Sequence, residues 1–334
     1  MELEKTDDWF LENLGEQEQD VYDIETDNHT FFANNILVHN SFYLDIIKVL
    51  EYMNKKGNTT REEKRKYIEK YCDILSDTVL KDLFADMRNE MNLVDEPIMN
   101  MDRESIALPY DKTGNCGLWL AKKHYALLLD QMEEIVYTNP HMKIMGLASV
   151  QSTMPELFKK PYNQILTDII TEGHKKARET FNKFKEEFFN LSYDNIGIPT
   201  SVSDVDKFTD PRTGLPHDGQ WKDEDSGKIR NGGVPINSKA AINYNFMLKK
   251  LGLDKKYNLI TNGSNIKYVF LKQNGYGFSV IALSDDNTLP KEFNLDKLVD
   301  YNQHWERMFK KPITDIFTAC GLSLDQEVNL MDFL

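Results

Sequence analysis

Cysteine is scarce in this chain: its 334 residues include three, Cys72, Cys116 and Cys320, far apart in sequence. An odd, scattered set suits neither a disulfide framework nor a zinc cluster, and it implies ordinary thiols in a reducing compartment. Long apolar runs are also missing. No stretch reaches the roughly 18 apolar residues a membrane helix needs, so no membrane partner is expected. The opening residues Met1-Glu2-Leu3-Glu4-Lys5 are acidic, where a secretory signal is basic and then apolar. These absences together imply a cytoplasmic protein. Bases are nearly absent from the first 40 positions, which carry eleven acids and one lysine, Lys5. That segment holds −10 of the chain's −14, leaving −4 for the remaining 294 residues. So abrupt an asymmetry suggests two segments with different partners. The arm is either a solvated acidic tail or a lure for a basic partner.

What is present suits a globular chain with a core: 40% hydrophobic and 28% charged residues. The length allows two or three compact units. Residues 1–20 read as a weak helix or arm. Strand-like pieces follow at Val21–Ile24, Thr30–Phe32 and Ile36–Val38, punctuated by Asp27-Asn28 and Asn34-Asn35, with another at Phe42–Leu44. Thr60 with Glu63 forms a capping box, and Ile68, Tyr71, Leu75 and Val79 recur at helical spacing. Residues 97–147 read as a small sheet. Two helices are expected from Pro155 to about Leu191, the second with Ala177, Phe181, Phe184 and Phe188 on one stripe. Residues 202–235 are polar and rich in glycine, aspartate and proline, and read as loops. Asn262-Gly263 and Asn274-Gly275 flank the apolar run 266–271 and signal hairpin turns. There is no internal repeat, and the expected class is α+β.

The most informative stretch is Val38-His39-Asn40-Ser41. An asparagine amide can attack its own backbone carbonyl, giving a succinimide and cutting the chain after itself. A neighbouring imidazole, here His39, can polarise that carbonyl or protonate the leaving nitrogen. Ser41 offers a hydroxyl that can accept an acyl group once activated. Alone, His-Asn-Ser is an ordinary loop sequence. Here it follows Val21-Tyr22-Asp23-Ile24, His29-Thr30-Phe31-Phe32 and Asn34-Asn35-Ile36-Leu37 in order. This series resembles the two C-terminal blocks of inteins, with Thr30 standing where asparagine is commoner and Asn35 where glycine is commoner. The resemblance implies that Asn40 cyclises, His39 assists, Ser41 is the branch-point nucleophile, and Asp23 and His29 tune proton transfer. Because the junction falls so early, at Asn40, the N-terminal splicing blocks are expected on a second chain, as in a split intein. The acidic arm would then recruit a basic partner half.

Residues 41–334 resemble the C-terminal part of a family B DNA polymerase of the T-even phage type. The motifs are Met101-Asp102-Arg103-Glu104-Ser105-Ile106, Trp119-Leu120-Ala121-Lys122-Lys123-His124-Tyr125, His141-Met142-Lys143-Ile144-Met145-Gly146, Gln151-Ser152-Thr153-Met154-Pro155 and the terminal Leu330-Met331-Asp332-Phe333-Leu334. The resemblance is strongest over 101–155 and weak over 195–255. It implies a half-intein at 1–40, part of a palm at 41–146, a mixed helical and β thumb at 147–327 and a sliding-clamp tail at 328–334.

Within that frame Lys123-His124-Tyr125 would hold the primer end. His124 replaces the family's usual arginine, and Lys122 supplies a further cation. Read without the neighbouring motifs, this is an exposed basic strand. Asp102 and Glu104 alternate on a strand and match acids near the metal site, or else form an acidic surface strand. Lys143, Ser152 and Thr153 would contact primer phosphates, and Lys228, Arg230 and Lys239 would grip the duplex around Gly232-Gly233. Leu330, Phe333 and Leu334 would anchor the tail in a clamp pocket, or the tail forms a helix docked on its own domain. Ser41 takes the place of the serine that ends the family's Asp-Thr-Asp-Ser turn. The catalytic aspartates, and most Mg²⁺ ligands, are therefore expected on the N-terminal partner fragment. After splicing, the joined protein would use Mg²⁺, dNTP and primer-template DNA, in a bacterial host's cytoplasm if phage-encoded. A non-splicing subunit that complements its partner non-covalently is the alternative.

Overall fold

A computed structural model describes residues 51–53, 55, 59–90, 103–121, 123–223, 227–231, 233–283 and 286–324, and the backbone of four short strands before residue 44. Helix and sheet are mixed and segregated, an α+β arrangement. Chain contacts divide it into two compact units, residues 1–108 with 130–138, and residues 109–129 with 139–334.

In the first unit the early strands are β1 (Tyr22–Asp23), β2 (Phe31–Ala33), β3 (Ile36–Val38) and β4 (Phe42–Tyr43). β2 and β3 pair antiparallel with Ala33 opposite Ile36, which leaves Asn34 and Asn35 as the connection. The turn expected at Asn34-Asn35 lies outside the described residues. The readings of residues 1–20 and of Asp27-Asn28 lie outside the described residues.

Helix α1 (Arg61–Leu75) starts on the anticipated capping box. The Thr60 hydroxyl accepts from the Glu63 N–H, and the Glu63 carboxylate accepts from the Thr60 N–H at 2.7 Å. A π-helical stretch (Ser76–Leu80) follows, then α2 (Lys81–Glu90). The apolar spacing drawn through Val79 does not hold: Val79 is exposed, and Phe84 and Met87 are buried instead. The wider π stretch rotates the chain out of the 3.6-residue phase on which that spacing relied.

The small sheet expected over 97–147 is present as β5 (Ser105–Ile106), β6 (Gly117–Ala121), β7 (His124–Met132) and β8 (Ile135–Met145). In the first unit β5 pairs with the end of β7, Ser105 opposite Met132. In the second, β6 pairs with the start of β7, Gly117 opposite Leu127.

The second unit continues with α3 (Glu156–Thr171) and α4 (His174–Phe188). The stripe Ala177, Phe181, Phe184 and Phe188 is buried, as its spacing predicts. Strand β9 (Ile198–Ser201) comes next. Residues 202–235 are not loops throughout: they include a helical turn (Val205–Phe208) and the hairpin β10 (Gln220–Lys222)–β11 (Ile229–Asn231). Helix α5 (Ile236–Leu251) leads to β12 (Asn265–Phe270) and β13 (Val280–Ala282). These strands form a three-stranded antiparallel sheet with β9, in the order β13–β12–β9. Helix α5 packs on it, where Asn243 donates to the Val280 carbonyl at 2.8 Å. Asn262-Gly263 does not turn a hairpin, because β12 takes β9 as its partner, with Asn265 opposite Ser201. Asn274-Gly275 does lie between the paired β12 and β13. A last helical run closes the core with Trp305, Phe309 and α6 (Lys311–Ala319). All three cysteines are free thiols.

Candidate functional site

The junction is described through its flanking backbone. β1 and β4 pair antiparallel, Tyr22 opposite Tyr43 and Asp23 opposite Phe42. β3 ends at Val38, paired with Phe31. The register sets the Asp23 backbone beside Phe42. His29, His39, Asn40 and Ser41 lie outside the described residues, and the side chain of Asp23 is not described.

The basic motif is carried by the β6–β7 hairpin. Trp119 lies opposite Tyr125 and Ala121 opposite His124, with an irregularity between Trp119 and Ala121. Lys123 occupies the left-handed region at φ 59°, a conformation that a lysine keeps only when its surroundings impose it. Tyr125 is buried, and its ring stacks on Trp119 at 5.7 Å between centroids. Trp119 is the partly exposed member of the pair. The alternating run Gly117-Leu118-Trp119-Leu120-Ala121 leaves its burial open, because alternation separates two faces without saying which one is covered. Lys122 lies outside the described residues.

The chain leaving β8 returns to this hairpin. Lys143 is half-buried on β8, and Gly146 follows the strand at φ 67°, with the Lys123 carbonyl directly beside it. A short 3₁₀ turn (Ala148–Val150) then leads to Ser152 and Thr153, both exposed, while Met154 and Pro155 are buried and anchor the loop to the core. Ser152 borders a cleft of about 280 Å³ with Lys159, Asn195 and Lys267. Lys159 is paired with Glu156 at 2.6 Å, and Lys267 donates to the Asp194 carbonyl at 3.2 Å. No motif in the sequence points to these two lysines, because they are far apart along the chain and meet only through the fold.

A third group surrounds Asp223, whose side chain is fully buried. Arg230 reaches one oxygen at 2.8 Å and Lys207 the other at 3.4 Å. Arg230 is therefore a strut of the β10–β11 hairpin as well as a surface cation. Lys228 is exposed beside it, and Lys239 is half-buried in the first turn of α5.

Glu104 is exposed just before β5, and its carbonyl accepts from the Glu133 N–H at 2.6 Å. Asp102 lies outside the described residues, as do Leu330, Phe333 and Leu334. Among the described residues no three of His, Cys, Asp and Glu converge on a point that could hold a metal ion. Among them, too, no helix is long and apolar enough to cross a membrane.

No family model matches the chain. It is similar to the DNA-directed DNA polymerase of Enterobacteria phage T4, at 27% identity over 302 residues covering 88% of this chain and 31% of that protein. It is also similar to the DNA-directed DNA polymerase of Escherichia phage RB69, at 24% identity over 328 residues covering 97% of this chain and 34% of that protein. The chain thus spans about a third of the length of the curated relatives it matches.

Proposed function

We propose that the chain is the precursor of the C-terminal part of a replicative DNA polymerase, joined to its N-terminal part by protein trans-splicing. In this reading residues 41–146 complete a palm, 147–327 form a thumb and 328–334 bind a sliding clamp. The observation that carries the polymerase part is similarity to two phage DNA polymerases over most of the chain. The splicing part is supported by the ordered motifs that end at Asn40 and by the two ladders flanking the junction.

The chemistry runs on the chain's own groups. The upstream acyl group, held as an ester or thioester on the partner half-intein's nucleophile, passes to the Ser41 hydroxyl; the bond to that nucleophile breaks and it leaves with the proton Ser41 gives up. The Asn40 side-chain nitrogen attacks its own carbonyl carbon, closing a succinimide and breaking the bond to Ser41. His39 protonates the departing amine. The freed Ser41 nitrogen then attacks the ester, and the acyl group moves from oxygen to nitrogen, leaving a peptide bond. In the joined polymerase, Mg²⁺ would activate the primer hydroxyl and stabilise the leaving pyrophosphate. Its ligands would come chiefly from the partner, which would carry the catalytic aspartates. This chain would supply duplex contacts through Lys122 and Lys123, with Tyr125 buried against Trp119 as their support, through Lys143, Ser152 and Thr153, and through Lys228, Arg230 and Lys239. Asp102 and Glu104 would border the metal site, and Leu330, Phe333 and Leu334 would enter the clamp.

A second reading is favoured by one observation. The RB69 match covers 97% of the chain, about 324 residues, and so reaches into the first 40 positions. That suits a polymerase subunit that complements its partner without covalent joining. Co-expression with the N-terminal fragment, followed by intact-mass measurement, separates the two. Splicing yields a ligated product and a released segment that ends at Asn40, and Asn40→Ala prevents that release. An active complex of two unjoined chains, or ligation that survives Asn40→Ala, rules splicing out.

A further inference from the structure

We propose that Gly146 is a positioning residue for the cationic turn at Lys123, an inference that rests on reading this turn as a contact to the primer backbone. The case starts from a close approach. A Cβ on Gly146 would overlap the Lys123 carbonyl oxygen, far inside the 3.0 Å that real Cβ atoms keep, and would lie 3.0 and 3.2 Å from His124 Cδ2 and Cγ. Ordinary van der Waals contact begins near 3.4 Å, so the turn would have to retreat by about 1 Å. The obstacle is backbone rather than the end of a flexible side chain, so a rotamer change cannot relieve it. Gly146 also adopts φ 67°, which a side chain of ordinary L chirality disfavours. Among the described glycines it alone combines a left-handed φ with a backbone atom nearer than 3.0 Å. At Gly114, Gly219, Gly252 and Gly263 the left-handed φ comes with open space.

Two consequences follow for the turn. Lys123 is itself left-handed, and such a residue stays in place only where neighbours over-determine it. The β6–β7 ladder holds it from one side, through Trp119–Tyr125 and Ala121–His124, and the Gly146 backbone seats its carbonyl from another. The same segment carries Lys143 before the glycine and Ser152 and Thr153 after it, so one residue couples the placement of both proposed phosphate-contacting groups. A displacement of about 1 Å suffices to spoil the alignment of a bound primer end.

The test measures binding of the full 334-residue chain to a fluorescent primer-template duplex between about 50 and 200 mM salt, where each phosphate contact contributes roughly 0.9 to the log–log slope. Lys123→Gln is expected to lower that slope by about 0.9, and Gly146→Ala by the same amount. The double variant should lose no more than either single one. Gly117→Ala is the control. It crowds the far end of the same hairpin, at 2.7 Å from the Ala126 carbonyl, and should lower the melting temperature with the slope intact. If Gly146→Ala does not fold, Gly146→Asn tolerates the left-handed φ but keeps the clash, and carries the same expectation. Should Lys123→Gln match the unmodified chain, or should that chain not bind duplex, the turn is not a DNA contact and both readings fall. Should Lys123→Gln lose slope while the folded Gly146 variants do not, or should the losses add in the double variant, Gly146 is merely structural and this inference alone is overturned.

Discussion

Two regions of this protein are held together by different physics. In the first unit, α1 is clasped to strands β5 and β7 by charged and amide groups. Asp130 is buried and accepts from the Leu108 N–H at 2.8 Å and from Arg61 Nη2 at 2.9 Å, while Arg61 Nη2 also donates to the Leu108 carbonyl at 2.8 Å. One turn along, Arg65 bonds Gln131 and Glu69, Gln131 donates to Glu69 at 2.7 Å, and Arg103 reaches the same carboxylate at 3.2 Å. The apolar cluster beneath is small: Ile68, Ile106 and Leu108 with Cys72 at its edge. In the second unit the equivalent task falls to rings. Phe309 lies 4.5 Å from Phe184, 5.2 Å from Trp305, 6.0 Å from Phe158 and 6.1 Å from Phe181. Directional bonds specify register and fail when one partner is removed; packed rings contribute more free energy and tolerate small shifts. The clasp suits a short contact between a helix and two strands, and the ring cluster suits a larger unit built around one apolar core.

The comparison can be broken most severely from the aromatic side. Phe309→Ala removes the ring shared by these contacts and is expected to cost about 3–5 kcal/mol, a melting shift of roughly 10 °C. Calorimetry reads this, and a shift under about 3 °C would mean that the cluster repacks. The next effect is a pH response in the same unit. His304 is fully buried, its Nε2 accepts from the Phe270 N–H at 2.9 Å, and burial pushes its imidazole down to about 4. The folded value lies below the ordinary 6.5, so the unfolded chain takes up the proton first as pH falls. Stability from this group is complete above about pH 6.5 and declines by about 3 kcal/mol on reaching pH 4. His304→Gln keeps an acceptor and should flatten that decline.

The clasp loses stability in the same direction, on acidification, but in a lower pH window. Glu69 is held below the ordinary carboxylate range, first by the Gln131 amide and then by Arg103 and Arg65. Its contribution is complete above pH 4.5 and is lost only at lower pH. Hydrogen exchange should therefore show residues 265–319 loosening before residues 61–75 as pH falls from 6.5, and simultaneous loosening would refute the division. Asp130→Ala strands the Leu108 N–H and leaves the Arg61 guanidinium with the Leu108 carbonyl but without its carboxylate, and should cost about 2 kcal/mol, tempered by the partial exposure of Arg61. Exchange in α1 and β5 would report it, with the aromatic unit unchanged. The smallest effect is at the cap: Thr60→Ala should cost about 1 kcal/mol and fray the first turn of α1.

Much of this fold is legible where a feature depends on near neighbours. The Thr60–Glu63 box, the buried stripe of α4, the paired strand pieces around residues 31–38 and the α+β class are set by near neighbours, and each is present. Signals that depend on distant pairing mislead or stay silent. Asn262-Gly263 has the composition of a hairpin turn, yet β12 takes its partner from Ile198–Ser201. The β10–β11 hairpin is hidden because its strands are very short and its stabilising carboxylate, Asp223, draws Lys207 from outside the hairpin. Val79 is misplaced because a π-helical stretch is invisible to a count that assumes 3.6 residues per turn.

The sequence by itself determined the junction motif at Asn40 and Ser41, the charge asymmetry around it, the resemblance that points to a polymerase, and the local elements set by capping and periodicity. Only the tertiary structure decided which ring of the Trp119–Tyr125 pair is buried, that Arg230 is tied to a buried carboxylate, and that Gly146 sits against the Lys123 carbonyl. The reason is one of range. Backbone preference and hydrophobic period act between near neighbours, whereas the identity of the covering neighbour emerges only when segments distant in sequence are packed at atomic distance.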